Sequence, residues 1–146
     1  MAIEWDGLIV EMSLLAGIIW GAVYLEHWSY TYSQKREEEK TRKNIIKFIE
    51  NDLEQRLKFT DDSLRYKDYT PFFKDMWDAV ILAGKHVLLS FEIFQSLQRS
   101  YSWMKYYNSE LEGIRRDHFD EEVLRELLED VKRSVEKSAM KLRDTR

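Results

Sequence analysis

Residues Leu8 to Leu25 read LIVEMSLLAGIIWGAVYL, with Glu11 as the only charge, and nothing else in the chain restricts its fold as much. A helix rises about 1.5 Å per residue, so these 18 positions cover roughly 27 Å, close to a hydrocarbon core of about 30 Å. Trp5 lies at one end, and Tyr24, Trp28, Tyr30 and Tyr32 cluster at the other, as expected for rings at two membrane interfaces. Glu11 sits about one turn inside, close enough to the end to reach the headgroups or to be protonated there. The stretch is apolar all round, with no polar stripe to turn toward water. It is expected to be a transmembrane helix.

Two alternatives compete. The uninterrupted apolar run, Met12 to Leu25, is also the length of a core helix, which gives a soluble bundle with a buried first helix. A cleaved secretory signal is disfavoured: the preceding residues hold Glu4 and Asp6 but no Lys or Arg, and no small-x-small cleavage site follows.

Basic residues set the direction. None occurs in the first 34 positions, whereas Lys35, Arg36, Lys40, Arg42 and Lys43 follow the apolar stretch. Lys and Arg resist translocation, and the interspersed Glu37, Glu38 and Glu39 count for little in this rule. The expected location is the cell membrane, single-pass, with the N-terminus outside and the C-terminal portion cytoplasmic. Within the span, Ser13, Gly17 and Gly21 recur every four residues beside Ala16 and Ala22. Small side chains on one face let a second helix approach, so these three are the candidate helix-helix contact in the membrane. The competing reading is that Gly is simply common in membrane helices.

Behind the span there is room for one domain, large enough to bury a core without staples. Zero Cys excludes a disulfide framework, a thiolate metal site and a Cys nucleophile together. One Pro and five Gly, with abundant Leu, Glu, Lys and Arg, indicate helices throughout. Of 23 basic and 27 acidic residues, four acids lie before residue 35, which leaves the remainder neutral. A nucleic-acid binder would show a basic excess, so nucleic acid is not an expected partner, while membrane lipid is.

The first cytoplasmic helix is expected over about Ser29–Lys58, with Ile46, Ile49, Leu53 and Leu57 as its stripe and Ile45 and Phe48 reinforcing it. Glu38–Arg42, Glu39–Lys43 and Glu54–Lys58 are spaced as i,i+4 pairs. Residues 59–70 read as a turn-rich connector, and Thr70–Pro71 as the start of a second helix. That helix would carry Phe73, Met76, Trp77, Val80 and Ile81 on one face and end at Gly84. A shallow break over 85–89 precedes a third helix from Ser90 to Glu112 or Gly113, with Phe91, Phe94, Leu97, Tyr101, Met104 and Leu111 as its stripe. The fourth starts at Asp120 as N-cap, with Phe119 and Leu124 as a hydrophobic staple. Its seam is Leu124, Leu127, Leu128, Val131, Val135, Ala139 and Leu142, laced outside by Glu121–Arg125 and Glu129–Arg133. The fold expected is all-α: an N-terminal transmembrane helix and an antiparallel bundle of about four helices. Its parts are an anchor over 1–28, a stalk and first bundle helix over 29–58, and the remaining bundle over 59–146.

Chemistry is sparse. His27, His86 and His118 do not pair at i,i+3 or i,i+4, and no Glu-x-x-His occurs on any helix, as a di-iron bundle requires. Phosphate loop, nucleophile elbow and HExxH are missing. Asp75 and Asp78 are better explained as acids in a helical first turn than as a catalytic pair. The expectation is therefore no enzyme, no catalytic residue, no metal and no cofactor. Trp77, Phe94, Tyr101 and Trp103 are either core or the walls of an aromatic pocket.

The stretch WDAVILAGKHVLLSFEIFQSLQRSYSWMKYYN, Trp77 to Asn108, resembles a pattern in small prokaryotic proteins with one N-terminal span and a helical cytoplasmic domain. The matching features are Trp77 and Asp78, the helix-closing Gly84, Leu88, Leu97, Tyr101, and the pair Tyr107–Asn108. The resemblance covers about a fifth of the chain, implies the architecture, and carries no activity. Asn108, mid-helix, is expected to bond a neighbouring backbone and fix packing. The leading functional expectation is a non-enzymatic interaction protein, self-associating through the span or an accessory subunit of a larger membrane complex. The alternatives are a ligand-sensing helical module with an aromatic pocket and the soluble bundle.

Overall fold

The computed structural model describes residues 5–73, 75–114 and 120–145, without the side chains of Trp5, Asp6, Leu8, Asp75 and Ile114. Glu4, Asp117, His118 and the staple residue Phe119 lie outside the described residues. The described chain is all-α: α1 (Trp5–Tyr66), α2 (Asp75–Leu82), a 3-10 turn (Lys85–Leu88), α3 (Phe91–Ile114) and α4 (Glu121–Arg143). It divides into two compact units, Met1–Thr41 and Arg42–Arg146, with the boundary inside the stretch read as a stalk.

The first unit is the N-terminal part of α1. Its side chains from Ile9 to Tyr30 are exposed, including every large apolar one. The hydroxyls of Ser13 and Thr31 donate back to the carbonyls of Ile9 and His27 at 2.8 and 2.7 Å, so neither presents an unpaired donor. Trp28 stacks on Tyr32 one turn on, with centroids 5.9 Å apart.

In the second unit the apolar stripes meet. Ile46, Ile49 and Leu53 of α1 share a core with Leu97, Tyr101, Met104, Tyr107 and Leu111 of α3, and all seven seam residues of α4 are buried. Phe48 and Phe91, placed on stripes by spacing, instead face out. Asp120 caps α4 as expected, its carboxylate accepting from the Glu122 amide at 3.1 Å. Around α4, Arg125 bonds Glu122 and Glu129, Arg133 bonds Asp130, and Glu121 pairs across the fold with Lys67 at 3.1 Å.

Chain directions follow from these pairs. Ser96 meets Ser138 and Ser100 meets Ser134, so α3 and α4 run antiparallel. Tyr101 meets Asp52 and Met104 meets Arg56, so α3 runs parallel to this part of α1. The segment between them returns along α3: Phe72 sits at Asn108, Asp78 at Lys105, Trp77 at Gln98 and His86 at Phe94.

Two expected boundaries are corrected. The connector over 59–70 is helical as far as Tyr66, and α1 runs without a break from the apolar stretch. Its turn-forming residues are absorbed by packing: Thr60 is fully buried and bonds the Arg56 carbonyl at 2.8 Å, Ser63 is buried, and Asp61 pairs with Lys132 at 2.7 Å. Lys67, at φ 56°, then ends the helix in the left-handed region. Nor does a helix begin at Thr70–Pro71. The Asn108 side chain accepts from the Phe72 amide (2.8 Å) and donates to the Phe72 carbonyl (2.9 Å), the acceptor a helix would offer to residue 76. Phe73 therefore lies outside α2 and is exposed.

Candidate functional site

The candidate sites fall on α1 and on the core of the second unit. On the apolar helix, Ser13, Gly17 and Gly21 share one exposed face, and a Cβ built at either glycine would meet nothing within 4 Å. Ile9, Val10, Ser13, Leu14, Gly17 and Ile18 line a shallow groove there. Among the described residues, none packs into it.

Of the four aromatics set out as a pocket, the fold brings three together. Trp77 lies flat on Tyr101, centroids 5.3 Å apart and planes 2° from parallel, and Phe94 tilts against Trp77 at 5.9 Å. The Trp77 indole N–H donates to Gln98 Oε1 at 2.8 Å, satisfying the polar atom of a buried ring. These rings fill space against one another. Trp103 is half-buried and meets Tyr106 edge-on at 6.1 Å.

The most concentrated polar chemistry was not singled out by sequence spacing. Asp52 Oδ2 accepts from Arg56 Nε and from the Tyr101 hydroxyl, both at 2.6 Å. Arg56, one turn beyond Asp52 on α1, is buried; its Nη1 donates to the Phe73 carbonyl at 2.6 Å and lies 3.3 Å from Met104 Sδ. The guanidinium also sits 5.1 Å from the Tyr101 ring centroid. Burial first, then the Asp52 charge and its hydrogen bond, raise the Tyr101 phenol far above its ordinary value, against a smaller opposing effect of Arg56. A cavity of about 260 Å³ adjoins this cluster, walled by Gln55, Phe59, Pro71, Phe72 and Phe73. The arrangement clamps the Pro71–Phe73 segment onto α1. A phenol held neutral and a carboxylate already accepting two short bonds leave no poised base or nucleophile among these groups. The one sequence signal was the i,i+4 pair Asp52/Arg56 beside the Ile49–Leu53 stripe; the Tyr101 partner is set by tertiary packing.

A second polar cluster joins α3 to α4. Ser100 Oγ contacts the Ser134 carbonyl, Ser134 Oγ and Ser138 Oγ at 2.9, 3.0 and 2.8 Å, and Ser96 Oγ meets Ser138 Oγ at 2.8 Å. These small residues let the helices approach closely, and their hydroxyls are satisfied where they are buried. Asp78 pairs with Lys105 at 2.7 Å. Among the described residues no three His, Asp or Glu side chains gather as a metal site. Comparison of the chain with protein-family models, curated proteins and solved structures finds no match.

Proposed function

We propose that the protein is a single-pass membrane protein, N-terminus outside and helical unit in the cytoplasm. It acts as a non-enzymatic interaction protein, self-associating or serving as an accessory subunit of a larger membrane complex. The observation that carries this reading is the exposure of the apolar helix. Ile9, Val10, Met12, Leu14, Leu15, Ile18, Ile19, Val23 and Leu25 are all exposed, and none is covered by another of the described residues. At about 1.5–3 kcal/mol per large side chain, water contact would cost on the order of 20 kcal/mol, more than a domain's whole stability. A bilayer removes that cost. The same exposure counts against a first helix buried within its own bundle.

Direction follows from the Lys and Arg residues that begin at Lys35. The small-residue face of Ser13, Gly17 and Gly21 suits contact with another membrane helix, since the Ser13 hydroxyl is already bonded and the glycines leave the backbone open. The interaction role is supported by the second unit, whose polar clusters brace its own helices. The test is affinity purification of the tagged full chain from native membranes in mild detergent. A defined oligomer or a stoichiometric membrane partner is expected; a monomer with no stoichiometric partner would refute the interaction role.

A further inference from the structure

The second unit holds a cavity of about 260 Å³ between α1 and the Pro71–Phe73 segment. The aromatic cluster anticipated from spacing has no such room, because Trp77, Tyr101 and Phe94 stack on one another. An apolar cavity of about 150 Å³ already holds benzene, so the larger space takes one ring with a polar substituent. Phe59, Pro71, Phe72 and Phe73 supply apolar walls, and Asp52, Gln55 and Arg56 supply a polar end. Apolar walls with a few placed polar groups are the usual make-up of a small-molecule site.

The walls are fixed before anything binds. Asn108 holds both backbone groups of Phe72, at 2.8 and 2.9 Å, and the buried Arg56 holds the Phe73 carbonyl at 2.6 Å. The Phe72 ring sits between Phe59, with centroids 4.8 Å apart, and Tyr107, at 5.4 Å. An irregular segment held this firmly lowers the ordering cost of binding. Phe73 stands apart: its backbone is captured, yet its ring lines the cavity and is 85% exposed. A flat ligand in the cavity covers it.

The polar end selects the ligand. Asp52 Oδ2 takes both internal bonds, from Arg56 and Tyr101, while among the described residues Oδ1 accepts none. The Gln55 amide is exposed and has no partner among those residues, so a donor and a second acceptor stand beside Oδ1. The Arg56 guanidinium, 2.6 Å from Asp52, balances its charge. An ammonium entering here faces Arg56, and a carboxylate faces Asp52. A neutral group with N–H and C=O side by side, as in a carboxamide, satisfies Asp52 Oδ1 and Gln55 together.

We infer that this cavity binds a small, uncharged aromatic molecule, its ring against the phenylalanine walls and a carboxamide-like edge on Asp52 and Gln55. The site lies wholly in the second unit, so it neither needs nor tests the membrane reading. Benzamide is titrated into the full-length, nitrogen-15-labelled chain in mild detergent, and the amide resonances are followed. The expected result is saturable binding with a Kd on the order of 1 mM, reasonable for about nine non-hydrogen atoms. The largest shifts should fall within residues 52–59 and 71–73. Benzoate and benzylamine should bind at least about tenfold more weakly, because each brings a charge the site does not balance. Gln55→Trp, at an exposed position, fills the mouth and should weaken benzamide at least about tenfold, and Phe73→Ala, which removes one wall, at least about threefold. Phe48→Ala removes an exposed α1 ring outside the cavity and should change nothing. Shifts that never saturate, that fall elsewhere, or that persist unchanged in Gln55→Trp and Phe73→Ala would overturn the site. Benzoate or benzylamine binding as tightly as benzamide would overturn it as a site for a neutral ligand.

Discussion

Replacing Asp52 with alanine removes the one carboxylate that serves both Arg56 and Tyr101. In the folded chain its Oδ2 accepts two bonds of 2.6 Å, and the Arg56 side chain is only 8% exposed. Without Asp52 the guanidinium keeps neutral contacts alone, the Phe73 carbonyl and Met104 Sδ, and the Tyr101 hydroxyl loses its acceptor. Breaking one side of a buried pair costs about 3–5 kcal/mol, against about 0–1 kcal/mol for a surface pair. Asp52 itself is 18% exposed, so the expected loss lies at the lower end, about 3 kcal/mol. For a unit of this size, thermal unfolding should fall by at least about 12 °C. The assay is thermal unfolding of the full chain in mild detergent, followed by the loss of helical circular dichroism. Tyr101→Phe alone should cost about 1.5–3 kcal/mol, the worth of a hydrogen bond to a charged group. The two substitutions should be strongly non-additive, because they remove the same bond. A loss under about 1 kcal/mol for Asp52→Ala, with additive behaviour in the pair, would refute the cluster as a buried clamp.

Asn108→Ala should cost about 2–4 kcal/mol, since it leaves the buried amide and carbonyl of Phe72 unpaired; thermal unfolding checks this, and faster amide exchange at residues 71–73 should accompany it. Gly84→Ala should cost about 1–2 kcal/mol from backbone strain alone, because φ is 65° while a Cβ there meets nothing; a loss too small to measure would show that the turn readjusts. The folded state keeps Tyr101 neutral to higher pH than the unfolded chain does, so its stabilisation is complete below about pH 10 and is lost as pH rises beyond that. Relative to Tyr101→Phe, the wild type should therefore lose up to about 1.4 kcal/mol per pH unit above pH 10, measured as unfolding midpoints across pH 9–11.

Much of this fold is legible in spacing. The α4 seam, the Asp120 cap and the Gly84 terminus are local signals, and the structure uses them as local chemistry dictates. The limits of α1 and α2 are different. Thr60, Asp61 and Ser63 read as a turn because their side chains compete for backbone bonds. Burial of Thr60 and Ser63, the Lys132 pair and the ring contact of Phe59 with Phe72 hold them helical instead. The Pro71 signal loses to two distant side chains, Asn108 and Arg56, that capture the backbone of Phe72 and Phe73. Such captures come from residues 17 and 36 positions away, beyond any local pattern. The Asp52–Arg56–Tyr101 cluster was hidden for the same reason: its i,i+4 half is visible on α1, and its phenol is delivered by a different helix. The apolar stretch is legible in the sequence alone, and the structure adds that its side chains from Ile9 to Leu25 are exposed, with none covered by another of the described residues.

The central claim, one crossing with the N-terminus outside, is tested most directly by cysteine accessibility in intact cells. The native chain has no thiol, so Ala2→Cys and Thr145→Cys each provide a single reporter for a membrane-impermeant maleimide. The account predicts that Ala2→Cys labels in intact cells, while Thr145→Cys labels only after permeabilisation. Protection of both thiols until lysis, or labelling of Thr145→Cys from outside, would contradict it.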